Sequence, residues 1–211
     1  MNCPHCSAPL AVDAMECGQC RFSTLAIRSI LGAEWVRLER LTDHLNVLSL
    51  KEQRHLEIVL DEFERRFPQC FFAVYLGVMP QMITARDLGF WLINHGAFHT
   101  QQMAKRNDFG CALVIDTQRS MASLTLGYAL ESHVTEGDLN RLLNLAQGPL
   151  SRHRYGQGIE RIVNAFGIKL KSVAASSLPG SPVAPSPNDL DGLGLQTLRA
   201  AHRPARLSHK F

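Results

Sequence analysis

Two short stretches near the N-terminus, "CPHC" (3–6) and "CGQC" (17–20), set four thiols in the pattern C-x2-C, ten residues, C-x2-C. A C-x2-C turn aims two sulfurs at one point, and two such turns supply the four soft ligands of a closed tetrahedral site. Zinc fits that donor set, with rubredoxin-like iron or an iron–sulfur centre as its rival. Cys3, Cys6, Cys17 and Cys20 are therefore expected to hold a structural zinc, with Gly18 easing the second knuckle. Four sulfurs leave no position for a catalytic water, and His5 is not needed as a ligand. Residues 1–22 are too few to bury a core, so the metal must substitute for one; zinc binding supplies about 10–16 kcal/mol in comparable peptides.

A second candidate lies in "AKRNDFGCALVID" (104–116), where a polar run meets an apolar one across Asp108 and Gly110. Asp108 is either a ligand for a metal or phosphate, or part of the turn that opens a buried strand. Phosphatase chemistry needs a nucleophile or a metal-activated water. Residues 41–171 contain no phosphate loop, no D-x-D pair and no cysteine followed by the small residues and arginine of a phosphatase loop. "HGAFH" sets His95 and His99 at i and i+4, but Gly96 interrupts and no Glu follows His95, so the pair reads as surface or partly buried histidines. Cys70 and Cys111 each open an apolar run and read as small fillers. Trp35 and Trp91 read as packing residues.

These residues must be positioned by a folded frame. "SLKE" (49–52) is a capping box, and Leu56, Val59, Leu60, Phe63 and Phe67 share the helical face that follows it, up to Pro68. "FFAVYLGV" (71–78) predicts a buried strand. Thr84 predicts the cap of a second helix carrying Leu88, Trp91, Leu92 and His95 on one face. "CALVID" (111–116) and "MASLTLGY" (121–128) predict two strands joined by the short turn "TQRS", hence an antiparallel hairpin. A third helix is expected from about Glu136 to Ala146, ended by Gly148–Pro149, and a fourth carries Ile159, Ile162, Val163, Phe166 and Leu170. The order helix, strand, helix, strand, strand, helix, helix predicts an α/β sandwich with a small mixed sheet. The segment 23–40, with helical spacing at Leu31, Trp35, Leu38 and Leu41, is a connecting helix or a linker.

The 211 residues suit one domain plus a small appendage, and the net charge of +3 implies neither a nucleic-acid nor a membrane partner by itself. No apolar run is long enough to span a bilayer. "MNCPHC" has neither the basic nor the apolar region of an export signal, which leads us to expect a cytoplasmic protein. Beyond Lys171 the chain turns to Ser, Pro, Ala and Gly and is expected to be disordered; Arg199, Arg203, Arg206 and Lys210 make its end basic. Such a tail would give weak, salt-sensitive contact with nucleic acid, and otherwise it is solvated.

From about residue 40 to 171 the chain resembles the TPM domain family, which includes thylakoid phosphatase-like proteins linked to photosystem II repair. The resemblance is carried in order by "LTDHLNVLS" (41–49), "FFAVYLGV" (71–78), "RNDFGCALVID" (106–116), "LTLGYALE" (124–131) and "RYGQGI" (154–159). It implies a three-layer α/β/α sandwich. It also implies a site: some members are described as acid phosphatases and some bind calcium. Asp108 matches the Asp of the family's "D-N-G" loop, Asp43 its opening Asp and Glu131 the Glu after "G-Y-G-L", and Glu136 falls where an Asp is frequent. Phe109 replaces the Asn of that loop, and Arg154 stands where the family has Asp.

The expected organisation is a zinc ribbon (1–22), a linker or connecting helix (23–40), a TPM domain (41–171) and a tail (172–211). The expected function is a cytoplasmic interaction or adaptor module for an unidentified protein partner, without catalysis. The alternatives are a weak metal-dependent phosphatase or calcium-binding protein using Asp43, Asp108, Glu131 and Glu136, and a nucleic-acid binder using the ribbon and tail. Oligomeric state is left open.

Overall fold

The computed structural model describes residues 3–6, 8–11, 14–32, 36–98, 107–176 and 206–210. Its elements, in chain order, are α1 (Thr24–Leu31), β1 (Val36–Leu38), β2 (Leu41–Asp43), α2 (Leu50–Arg66), β3 (Phe71–Gly77), α3 (Ala85–His95) and β4 (Gly96–Phe98). A 3-10 turn (Asn107–Phe109) then leads to β5 (Gly110–Asp116), β6 (Met121–Leu126), α4 (Tyr128–Glu131), α5 (Glu136–Ser151), α6 (Tyr155–Ser176) and β7 (Arg206–Lys210). The main sheet has the order β2-β3-β5-β6-β7; β2, β3 and β5 are parallel, and β6 and β7 run antiparallel to their neighbours. Strands β1 and β4 form a separate parallel pair.

The alternation along β3 and β5 builds the layers. Phe72, Val74, Leu76, Cys111, Leu113 and Ile115 face α2, α5 and α6, where Leu56, Leu60, Phe63, Leu139, Leu150, Ile162 and Phe166 complete the larger core. Ala73 and Val114 face the other way, onto Leu88, Trp91 and Leu92 of α3 and Ile27 of α1. This is the α/β/α sandwich, and Cys70, just before β3, and Cys111 in β5 are buried fillers in it. Among the described residues no helix is long and apolar enough to cross a membrane.

The capping logic holds at three helices. Ser49 and Glu52, Thr84 and Asp87, and Thr135 and Asp138 each form a reciprocal capping box. Asp138 does more: its carboxylate takes Lys169 Nζ of α6 at 2.9 Å and Arg141 Nη2 at 2.8 Å. Burial pushes its carboxyl up, but the Lys169 hydrogen bond, the Thr135 N–H and hydroxyl, and the Lys169 charge together hold it well below the usual carboxylate range. A carboxyl depressed on folding stabilises fully above its unfolded value, and that contribution disappears as pH falls below about 4. We expect Asp138→Asn to lower stability by about 1–3 kcal/mol at pH 7. The gap between variant and parent should close in denaturation series taken toward acid pH; a gap independent of pH would remove the role of the charge.

Five elements depart from the sequence expectation. The helical spacing from Leu31 to Leu41 does not continue as a helix, because Gly32 takes φ 92° and ends α1; Trp35 lies outside the described residues. Leu41–Asp43, inside the first family-like stretch, is a strand. Gly148–Pro149 does not end α5, which runs on to Ser151: Pro149 and Leu150 are both buried, and packing holds the last turn. Helix α6 continues past Lys171 to Ser176, and residues 206–210 of the expected tail pair with β6 as β7. The rest of that tail, and His99, lie outside the described residues.

Candidate metal centre and the acidic positions

Each C-x2-C turn is closed by backbone hydrogen bonds: Cys3 N–H to the Ala8 carbonyl (2.8 Å) and Cys17 N–H to the Phe22 carbonyl (2.9 Å). Arg21, with φ 60°, takes the left-handed conformation that completes the second turn, a role the sequence suggested for Gly18. The four Sγ atoms all lie within 4.8 Å of one another. Cys3 and Cys20 sulfurs are 3.6 Å apart, and Cys6 and Cys17 sulfurs 3.7 Å. A tetrahedron with metal–sulfur bonds of about 2.3 Å has edges of about 3.8 Å, so the spacing fits a single ion enclosed by four thiolates.

The turns also point backbone N–H groups at the sulfurs, as a thiolate site requires. The Cys20 and Gln19 N–H groups lower the Cys17 thiol to about 6. Burial pushes Cys20 up to about 12 and raises Cys3, although the Cys6 and His5 N–H groups act on Cys3 in the opposite sense. Among the described residues this is the one group of three or more His, Cys, Asp or Glu with metal-compatible spacing.

The ribbon is fixed to the sandwich through a residue that sequence reasoning passed over. His5, inside the first knuckle, places Nδ1 2.8 Å from Asp87 Oδ2. That oxygen also accepts the Thr84 N–H (2.9 Å) and hydroxyl (2.7 Å). The His5 ring stacks on Phe22, and Phe22 meets the edge of Phe90 on α3. Below them a cleft of about 450 Å³ is lined by Phe22, Ile27, Ile30, Met82 and Ile83. Thr84 and Asp87 were legible as a cap; that the same carboxylate receives a histidine 82 residues away was not.

The four acidic candidates do not converge. Asp43 ends β2 opposite Leu76, beside Ile115, whereas Asp108 precedes Gly110, which lies opposite Phe71. Leu76 and Phe71 are five residues apart, so Asp43 and Asp108 are separated by about 17 Å or more along the strands. Glu131 follows β6 and lies at the same end as Asp108, since Gly127 N–H bonds the Gly110 carbonyl at 2.7 Å. Glu136 is exposed in the first turn of α5.

Asp43 is engaged locally. Its carboxylate accepts the N–H groups of Leu45 (3.3 Å), Val47 (3.2 Å) and Leu48 (2.9 Å), shaping the turn into α2. The other acid at the C-terminal edge of the parallel strands is Asp116. It is buried, accepts the Gln118 and Arg119 N–H groups, and meets the Arg119 guanidinium at 3.3 Å. Arg119 in turn donates to the carbonyls of Ile83 and Pro80, clamping the β5–β6 turn to the loop before α3.

At the other end, Phe109 packs against the larger core, and Gly110 lies against the buried Phe71 ring. A Cβ at position 110 would clash with Cζ of the Phe71 ring. Gly110→Ala is expected to lower stability by about 1–3 kcal/mol through overpacking; an unchanged denaturation midpoint would rule out the close approach. The glycine of the "DFG" stretch is thus fixed by packing.

A family model described as the TPM domain matches residues 41–168. Among solved structures, the N-terminal domain of a protein from P. gingivalis, determined by NMR in solution, matches with TM-score 0.47 and 21% identity, covering 63% of this chain and 82% of that one. No curated protein matches the chain.

Proposed function

The chain belongs to the TPM domain family, and from that premise we propose that it is a cytoplasmic interaction module without catalysis, a structural zinc ribbon held against a TPM domain. The observation that carries this reading is the state of the two acids at the C-terminal edge of the parallel strands. Open α/β sheets place their ligand chemistry at that edge. Here Asp43 is engaged by three backbone N–H groups, and Asp116 by two and by Arg119. Both carboxylates serve turns. Zinc is favoured at the ribbon because four thiolates, all within 4.8 Å of one another and paired at 3.6 and 3.7 Å, close the coordination sphere.

The test is hydrolysis of p-nitrophenyl phosphate by the full chain with millimolar calcium or magnesium. We expect no release above buffer; release abolished by Asp108→Ala would overturn the reading. Elemental analysis should give about one zinc per chain; one iron would overturn the assignment of the metal.

The position of Asp108 and Glu131 at one end of the sheet favours a second reading, a weak divalent site there. It predicts saturable calcium binding by calorimetry that is lost in Asp108→Ala. Nucleic-acid binding through the ribbon is disfavoured, since Arg21, its one Lys or Arg, pairs with Glu16 at 3.0 Å.

A further inference from the structure

Strand β2 forms one edge of the main sheet, and among the described residues no strand pairs with its outer side. The hydrogen bonds to β3 fix which of its backbone groups face outward. Val74 N–H donates to the Arg40 carbonyl, and His44 N–H donates to the Leu76 carbonyl. Backbone direction alternates along a parallel strand, so Arg40, Thr42 and His44 face β3 while Leu41 and Asp43 turn their N–H and C=O groups to the open side. Leu41 and Asp43 also line a groove of about 620 Å³, whose other wall is the face of α2 carrying Leu50, Arg54, Glu57 and Ile58.

The groove carries exposed apolar side chains beside its charged ones. Leu50 is 72% exposed and Ile58 57%, and Leu45 and Val47 are exposed in the adjoining turn. A helix that needed only to cover the core would carry polar residues there. Two carboxylates, Asp43 and Glu57, line the groove against one guanidinium, Arg54. Partial burial pushes the Glu57 carboxyl up; Arg40 opposes this, and Glu39, Glu64 and Asp61 add to it. Arg40 itself is drawn to Asp61 and Glu64. The local field therefore favours an incoming cation.

We propose that the groove between β2 and α2 binds an extended segment of a protein partner, one whose every second residue is apolar except for a lysine or arginine in the middle of that series, so that all of them share the face turned to α2. The segment adds a short strand to β2, pairing with the outward groups of Leu41 and Asp43. Its apolar side chains rest on Leu50 and Ile58, and its cation reaches Glu57. The proposal rests on the interaction-module reading and names the surface and partner chemistry for it.

The probe is the acetylated, amidated peptide GVTKTVG, whose two valines and lysine share one face, titrated into the full metal-loaded chain with amide chemical shifts as readout. Saturable binding is expected, with shifts centred on Leu41–Asp43 and the first three turns of α2. Ile58→Asp and Glu57→Lys should each weaken it about tenfold or more. The charge-reversed peptide GVTETVG should bind at least about tenfold more weakly, as should GVTKTVG methylated at alternate amides. Shifts that map elsewhere, equal binding of the acidic peptide, or no effect of N-methylation would each overturn the proposal. If no peptide binds and the chain also hydrolyses no phosphate ester, the groove is wrong while the non-catalytic reading stands. Hydrolysis lost in Asp108→Ala would sink that reading whatever the peptides do.

Discussion

Cys17→Ser is expected to cost the protein its ribbon. Cys17 is 1% exposed, its sulfur lies 3.7 Å from that of Cys6, and its thiol is the one held to about 6 by the Cys20 and Gln19 N–H groups. Serine offers a hard oxygen where a thiolate is needed, so one of four bonds and the charge behind it disappear. Nothing else replaces the loss. The larger core contains no residue from 3–22, and metal binding is the main free-energy source for such a unit, about 10–16 kcal/mol in comparable peptides. Metal content should fall from about one per chain to near zero. Amide resonances of the two knuckles should collapse toward random-coil positions, while those of β3, β5, β6, α5 and α6 stay dispersed. A chelator should give the same spectrum from the parent chain. Retention of one metal per chain by the variant would remove the four-thiolate site from consideration.

A smaller effect should spread into the sandwich. Ile27 of α1 is buried with Ala73, Met79, Ile83 and α3, and Phe22 packs against that cluster. If the ribbon lets go, that surface is exposed, and hydrogen exchange should rise along α3 and the loop before it. The larger core on the opposite face should be unaffected, because it contains no residue from 3–22 or α1.

The sequence carried the parts of this molecule that depend on local rules. The Ser49–Glu52 box located α2, the Thr84 cap α3 and the spacing 0, 3, 4, 7 α5, because a helix is specified by neighbours within one turn. Alternation and the short "TQRS" turn located the β5–β6 hairpin for the same reason. The four-cysteine cluster was legible because it is assembled from two C-x2-C turns, each written in four residues. What failed was non-local. Strand β2 has only three residues and no alternating pattern, and it exists because β3 offers it a ladder. Strand β7, cut off from α6 by a Pro- and Ser-rich stretch, exists because the edge of β6 offers the same. Pro149 was read as a stop from its own chemistry, but buried neighbours kept the helix going.

The acidic candidates show the same division. Matching Asp43, Asp108, Glu131 and Glu136 to a family pattern gave positions along the chain. Whether they meet depends on strand direction. The parallel pairing of β2, β3 and β5 sends Asp43 to one end of the sheet and Asp108 to the other. A residue that does join two distant parts, Asp87, carried only a capping signal, because its second partner comes from the ribbon.

Asp87→Ala should therefore be among the most damaging single changes outside the cysteines. The side chain is 1% exposed, and Oδ2 gathers the Thr84 N–H, the Thr84 hydroxyl and His5 Nδ1 within 2.9 Å. Alanine removes an N-terminal helix box, at about 1 kcal/mol, and a buried charge-assisted bond, at about 1.5–3 kcal/mol, and it strands the donors that remain. A total near 3 kcal/mol is expected, read from denaturant unfolding with the fluorescence of Trp91, which sits buried one turn along α3. His5→Ala separates the two roles. It leaves the Thr84–Asp87 box intact and breaks only the tie to the ribbon, so it should cost less and should raise exchange mainly in residues 3–22. The double variant decides the matter. If the two residues act through their 2.8 Å contact, the losses fall short of additivity by about 1–2 kcal/mol. Full additivity would mean that the ribbon is held by Phe22 and Ile27 alone and that the histidine contributes nothing to docking.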